Sequence, residues 1–101
     1  MGTQGRRAGV VIIDDTYNSN PAGARAAVER LAAAVPGRTV LVTPGMVELG
    51  RRQAEENREL AAFAAARLSD ILVVGRTNRR ALLAGARGGA ACTRAVAHRP
   101  E

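Results

Sequence analysis

Not one of the 15 basic residues in this 101-residue chain is a lysine. All are arginine, and the absence excludes several chemistries together: a phosphate-loop lysine, a Schiff base and a carboxylated lysine. Aromatic residues make up 2 % of the chain, so the stacking platforms that bind single-stranded nucleic acid are missing. The arginines are scattered rather than gathered in one run, and the net charge of +6 therefore does not by itself point to a nucleic-acid partner. The one cysteine, Cys92, permits neither a disulfide framework nor a thiolate metal site, and reads as a small buried apolar residue. The one histidine, His98, lies in a polar C-terminal stretch and reads as solvated rather than catalytic. No apolar run reaches the ~18 residues of a membrane span, and residues 1–8 lack the apolar centre of a signal peptide. No membrane insertion is expected, and the expected compartment is the cytoplasm.

What is present is small and aliphatic. Apolar residues make up 47 % of the chain, mostly Val, Ile, Leu and Ala, which suits helices layered on a sheet. A chain of this length builds one domain with one core, burying roughly two-thirds of its unfolded surface. Three runs, "GVVIID" (9–14), "RTVLVT" (38–43) and "DILVVG" (70–75), are continuous, apolar and β-branched, the pattern of central strands in a parallel sheet. A fourth strand is weakly written at "CTRAVA" (92–97).

Helical patterns separate these runs. In the first, Asn20 can cap, Pro21 suits the first helical position, and Pro36-Gly37 ends the element, with Ala24, Ala27, Val28, Leu31 and Val35 on one face. The second turns Leu60, Phe63, Ala64 and Leu68 inward, and a third runs from about Asn78, as its cap, to Arg87. Alternation of strand and helix predicts an α/β fold: a Rossmann-like three-layer domain with a mainly parallel sheet of about four strands and three helices. Residues 1–8 are expected as a flexible segment and 9–101 as the domain.

Right-handed crossovers place the carboxyl ends of all strands on one edge, where open α/β sheets bind ligands. Three polar junctions share that edge: Asp14 to Asn20, Thr43 to Gly50, and Gly75 to Asn78. The first, "DDTYNSNP", is not a dinucleotide fingerprint, which needs G-x-G-x-x-G there. It is not a phosphotransfer receiver, which needs a later aspartate and a lysine, nor a haloacid-dehalogenase-type D-x-D. Asp15 sits where a carboxylate can accept hydrogen bonds from a diol such as ribose. Tyr17 and Asn18 have no helical or strand duty and are contact candidates, whereas Asn20 has a competing duty as cap. In "TPGMVELG", Pro44-Gly45 forces a tight turn. Its apolar residues either plug the sheet edge with Glu48 solvated, or frame a Glu48 that points into the cleft. In "GRTN", Arg76 suits a phosphate or carboxylate, or is simply solvated.

Taken together, "VIIDDTYNSNPAGARAAVERLA" and "GMVELG" resemble the C-terminal domain of the muramyl (Mur) ligases, most closely the type that adds D-alanyl-D-alanine to UDP-N-acetylmuramoyl-tripeptide. The resemblance runs from about Val10 to Gly75. It implies a Rossmann-like domain that closes over a site shared with a central P-loop domain, normally in the same chain, which holds ATP and magnesium. It implies that Asp15 contacts the nucleotide ribose, and that Tyr17, Asn18, Asn20, Met46 and Glu48 belong to loops facing the nucleotide or the incoming amine. No catalytic residue and no metal ligand is expected in this chain, which is expected to be inactive alone and shorter than the usual domain. Two departures stand out: Thr43-Pro44-Gly45 replaces the usual Leu-Gly-Asp, and Asn57 stands where many members have histidine. These leave open a folylpolyglutamate-synthase-like or an amidating Mur-like ligase, and a stand-alone Rossmann-like binding module is a third reading.

Overall fold

The computed structural model describes residues 20–34 and 38–96 and the backbone of residues 8–12. The elements follow in strict alternation: β1 (Ala8–Ile12), α1 (Pro21–Ala34), β2 (Arg38–Thr43), α2 (Gln53–Ala65, entered through a 3-10 turn at Gly50–Arg52), β3 (Asp70–Val74), α3 (Arg79–Ala86) and β4 (Cys92–Val96). All three strand pairings are parallel, in the order β1-β2-β3-β4, with Val10 opposite Val40, Val42 opposite Leu72, and Leu72 opposite Arg94. The α/β, parallel, Rossmann-like reading holds, with the weakly written fourth strand formed.

α1 starts as its sequence dictates. Asn20 Oδ1 accepts the Gly23 N–H at 3.0 Å, which satisfies one of the orphan donors of the first turn, and Pro21 occupies the position where no donor is needed. α2 has no side-chain cap at Arg52, but Glu55 and Glu56 lie in its first turn, where carboxylates complement the helix dipole. Glu56 also accepts from Arg52 at 2.9 Å and faces Arg25 of α1 at 3.9 Å.

The core lies between the helices and one face of the sheet. Ala24, Ala27 and Val28 of α1, Leu60, Ala61, Ala64 and Ala65 of α2, and Leu82 and Ala86 of α3 join Leu41, Ile71 and Val73 in a single cluster. The described helices thus share one face, because a sheet whose strands follow chain order returns every crossover to the same side. Two layers are seen among the described residues; the third layer of the sequence expectation is not among them. Phe63 is half-buried at the margin, with the Arg67 guanidinium 3.6 Å over its ring.

Small residues let the helices approach. A Cβ on Gly85 of α3 would strike the backbone carbonyl of Arg58 in α2, so the closest crossing of the two helices requires glycine there.

The opposite face corrects the reading of Cys92, which is exposed. It begins the edge strand β4 and, with Arg38, Val40, Asp70, Leu72 and Arg94, borders a shallow groove of about 310 Å³ away from the helices. Arg38 donates to Asp70 at 2.6 Å across that groove. This hydrogen bond and the attraction of Asp70 hold the guanidinium pKa above its ordinary value.

Candidate functional site

Parallel pairing brings the end of β2 and the end of β3 to one edge of the sheet, and the residues that follow them are locked together. Thr43, fully buried, accepts the Gly45 N–H on its hydroxyl oxygen at 2.9 Å, which starts the turn. Gly45 has φ +88, and a Cβ on it would lie 2.7 Å from Asn78 Nδ2 and 2.8 Å from Asn57 Oδ1. The position therefore demands glycine both for its backbone conformation and for space.

Two asparagines grip the turn from the helical side. Asn57 of α2, wholly buried, accepts the Met46 N–H at 2.7 Å and donates to the Met46 and Gln53 carbonyls, both at 2.9 Å. Asn78, just before α3, donates to the carbonyls of Pro44 and Met46 at 3.1 Å each, and its Oδ1 accepts from Gln53 Nε2 at 3.0 Å. The Gly45 and Met46 N–H groups and the Pro44 and Met46 carbonyls, each of which would cost ~1–3 kcal/mol if buried bare, are thereby paired. The Met46 side chain anchors the same turn from below, inside the core.

The chain then emerges. Val47 is half-buried, and Glu48 is exposed with φ +66, the only positive φ at a non-glycine among the described residues. Held in the left-handed region at a cost of roughly 1 kcal/mol, the residue rests on the clasped turn at the carboxyl edge of the sheet. Leu49 folds back against the core before Gly50, φ +60, leads into the 3-10 turn. The first of the two sequence readings describes this turn: Met46 and Leu49 plug the sheet edge, and Glu48 faces solvent.

The remaining site expectations divide cleanly. Asp15, Tyr17 and Asn18 lie outside the described residues. Asn20 is exposed and its Oδ1 is engaged as a cap. Met46, expected in a substrate loop, is instead a core residue whose backbone, not side chain, carries the turn. Asn78 is a second correction: it stands at the helix start but makes no side-chain cap, because its amide reaches the turn instead. Arg76 is exposed beside Arg79 and Arg80. The Asn57–Asn78–Gln53 clasp was missed as a unit. Its signal is an amide, Asn57, on the same helical face as Leu60, Ala61 and Ala64, a polar residue at a core position.

Among the described residues no three His, Cys, Asp or Glu side chains converge. Their donor set does not fit a magnesium ion, and no step below is routed through one held by them.

A parallel α/β sheet whose polar junctions meet at the carboxyl edge, with the G-M-V-E-L-G turn fixed there, agrees with the family that the sequence resembles. The family model described as "Mur ligase, glutamate ligase domain" matches residues 1–101. The chain belongs to this family. Neither a curated protein nor a solved structure matches it. As a Mur ligase domain it is part of a ligase, and the clasped turn lies at the carboxyl edge of its sheet. No described helix of this Mur ligase domain is long and apolar enough to cross a membrane.

Proposed function

We propose that this Mur ligase domain serves, within a longer enzyme, the ATP-dependent joining of D-alanyl-D-alanine to UDP-N-acetylmuramoyl-tripeptide in peptidoglycan synthesis. The observation that carries the reading is the Glu48 turn, clamped by Asn57 and Asn78 in a left-handed conformation at the carboxyl edge of the sheet. ATP, held with magnesium by a P-loop domain, would supply the phosphoryl group that activates the acceptor carboxylate, the metal neutralising phosphate charge.

This chain's part is to bind and orient. Asp15 accepts hydrogen bonds from the ribose, and Tyr17 and Asn18 line the loop beside it. Glu48, an exposed carboxylate on a rigid turn, accepts from the ammonium of the incoming amine and aligns its nitrogen. Domain closure brings these groups to the reacting centre, so the chain alone has no turnover.

The turn also favours a second reading of the amine. Thr43-Pro44-Gly45 stands where a Leu-Gly-Asp would add an acid to the edge, and a site with one carboxylate fewer suits a different amine, in a folylpolyglutamate-synthase-like or amidating ligase. Offering the full-length enzyme D-alanyl-D-alanine, glutamate and ammonia in parallel, and measuring phosphate release, separates the readings. Preference for D-alanyl-D-alanine, lost in Glu48→Gln, is the expected result; preference for another amine overturns the substrate assignment. Release by the 101-residue chain alone would refute its dependence on a partner domain. Failure to find an in-frame G-x-x-G-K-[ST] segment upstream in the DNA would favour the stand-alone module.

A further inference from the structure

Between Ile71 and Pro100 the sequence holds six arginines and not one aspartate or glutamate. Four of them, Arg76, Arg79, Arg80 and Arg87, surround Leu83 in a surface groove of about 510 Å³ along α3. A second groove, of about 700 Å³, lies between α2 and α3 and is bordered by Arg51, Arg58 and Arg80. Arg80 borders both, and neither groove has a carboxylate among its lining residues. The ion pairs among the described residues engage Arg25, Arg38 and Arg52, and none of these six.

Left to itself, this arrangement is unfavourable. The first turn of α3 contains no acid, so Arg79 and Arg80 stand at the positive end of the helix dipole. Arg76, in the bend before α3, borders the same groove as Arg79 and Arg80, and like charges gathered there repel. Elsewhere local chemistry and fold agree: α1 is capped by Asn20 and α2 opens on Glu55 and Glu56. Arg79 Nε donates to the Gly75 carbonyl at 3.2 Å, but no carboxylate lines either groove, and a local rule broken this way marks a place where an absent anion would supply the compensation.

We propose that the two grooves form one binding surface for an oligophosphate, a chain of two or more linked phosphate groups. Guanidinium groups are suited to this because each presents paired N–H donors that match two phosphate oxygens. Arg51, Arg58 and Arg80 grip one phosphate between the helices, and Arg76, Arg79 and Arg87 hold the next along α3. The helix rises about 12 Å over its eight residues. That length takes a short phosphate chain but is little track for a nucleic acid, and no aromatic residue lines either groove to stack a base. At the end bordered by Gly50, Gln53 and Asn78 the surface adjoins the clasped turn, but it is built from its arginines and does not rest on the ligase reading.

Calorimetric titration of the 101-residue chain with inorganic pyrophosphate tests the surface directly. Binding is expected at low salt, weakening as salt is raised. Arg58→Gln, Arg79→Gln and Arg80→Gln should each weaken it about fivefold, whereas Arg30→Gln, the same charge change on an exposed part of α1, should leave it unchanged. Parallel titration with ADP identifies the source: equal affinity marks free oligophosphate, and tighter binding marks a nucleotide. Thermal melts of each variant verify folding, and Arg80→Gln should melt no lower than the parent without phosphate, since it relieves repulsion. Equal weakening by Arg80→Gln and Arg30→Gln, or no binding at low salt, overturns the proposal.

Discussion

Replacing Asn57 by leucine removes the centre of the clasp while keeping the side-chain volume nearly constant. In the native chain Asn57 makes three hydrogen bonds, to Met46 N–H, Met46 C=O and Gln53 C=O. Leucine deprives all three, but unequally. The Met46 carbonyl retains Asn78, so the Met46 N–H is the group left buried and bare. One orphaned donor costs ~1–3 kcal/mol and the other lost bonds add about 1 kcal/mol, while the added apolar contact offsets a fraction, giving a net destabilisation of roughly 2–3 kcal/mol. Against the ~5–15 kcal/mol expected of a domain this size, that is a large share. Urea unfolding followed by circular dichroism should show a lower midpoint at an unchanged slope. Asn78→Ala should be non-additive with it, because both residues donate to the Met46 carbonyl. A change below about 0.5 kcal/mol for Asn57→Leu, within the range of ordinary surface substitutions, would refute the claim that this amide holds the turn.

Gly85→Ala would raise helix propensity by ~1 kcal/mol in an isolated helix, yet here the new methyl meets the Arg58 carbonyl, and the overpacking cost of roughly 1–3 kcal/mol should prevail; a stabilised variant in the same urea assay would contradict the close approach of α2 and α3. Glu48→Gly should stabilise the chain by about 0.5 kcal/mol or more through release of the left-handed strain, and a lower midpoint would show that the glutamate side chain makes a contact of its own. Cys92 should react with a thiol reagent in the folded chain, one equivalent without denaturant, because it is exposed on the edge strand; protection until unfolding would place it under cover.

The correspondence between sequence and structure was close wherever the signal was local. Asn20-Pro21 wrote its own helix start, and the stripe Ala24, Ala27, Val28 faces the core as its spacing requires. Cys92 misled because residue type favours burial while strand order puts it on the exposed side of an edge strand, a fact no local pattern contains. Asn78 misled for a related reason. At a helix start an asparagine has a local partner, the helix N–H, and it took distant ones instead, the Pro44 carbonyl and, shared with Asn57, the Met46 carbonyl.

The sequence by itself determined the alternation of strand and helix, the parallel class and the family, because each follows from spacing along the chain and from motifs complete within a few residues. It also placed Thr43 to Gly50 at the carboxyl edge of the sheet, since parallel strands end on the same side. Only the tertiary structure decided which residues hold that turn and which are merely near it. Asn57 is 11 residues from Met46 and Asn78 is 32 away. Whether such amides meet is fixed by how α2 and α3 pack over the sheet. The same packing, made close by Gly85, brings Arg51 and Arg58 of one segment beside Arg80 of another. Charge that looked scattered along the chain is gathered there into one surface, because the helices are neighbours in space and not in sequence.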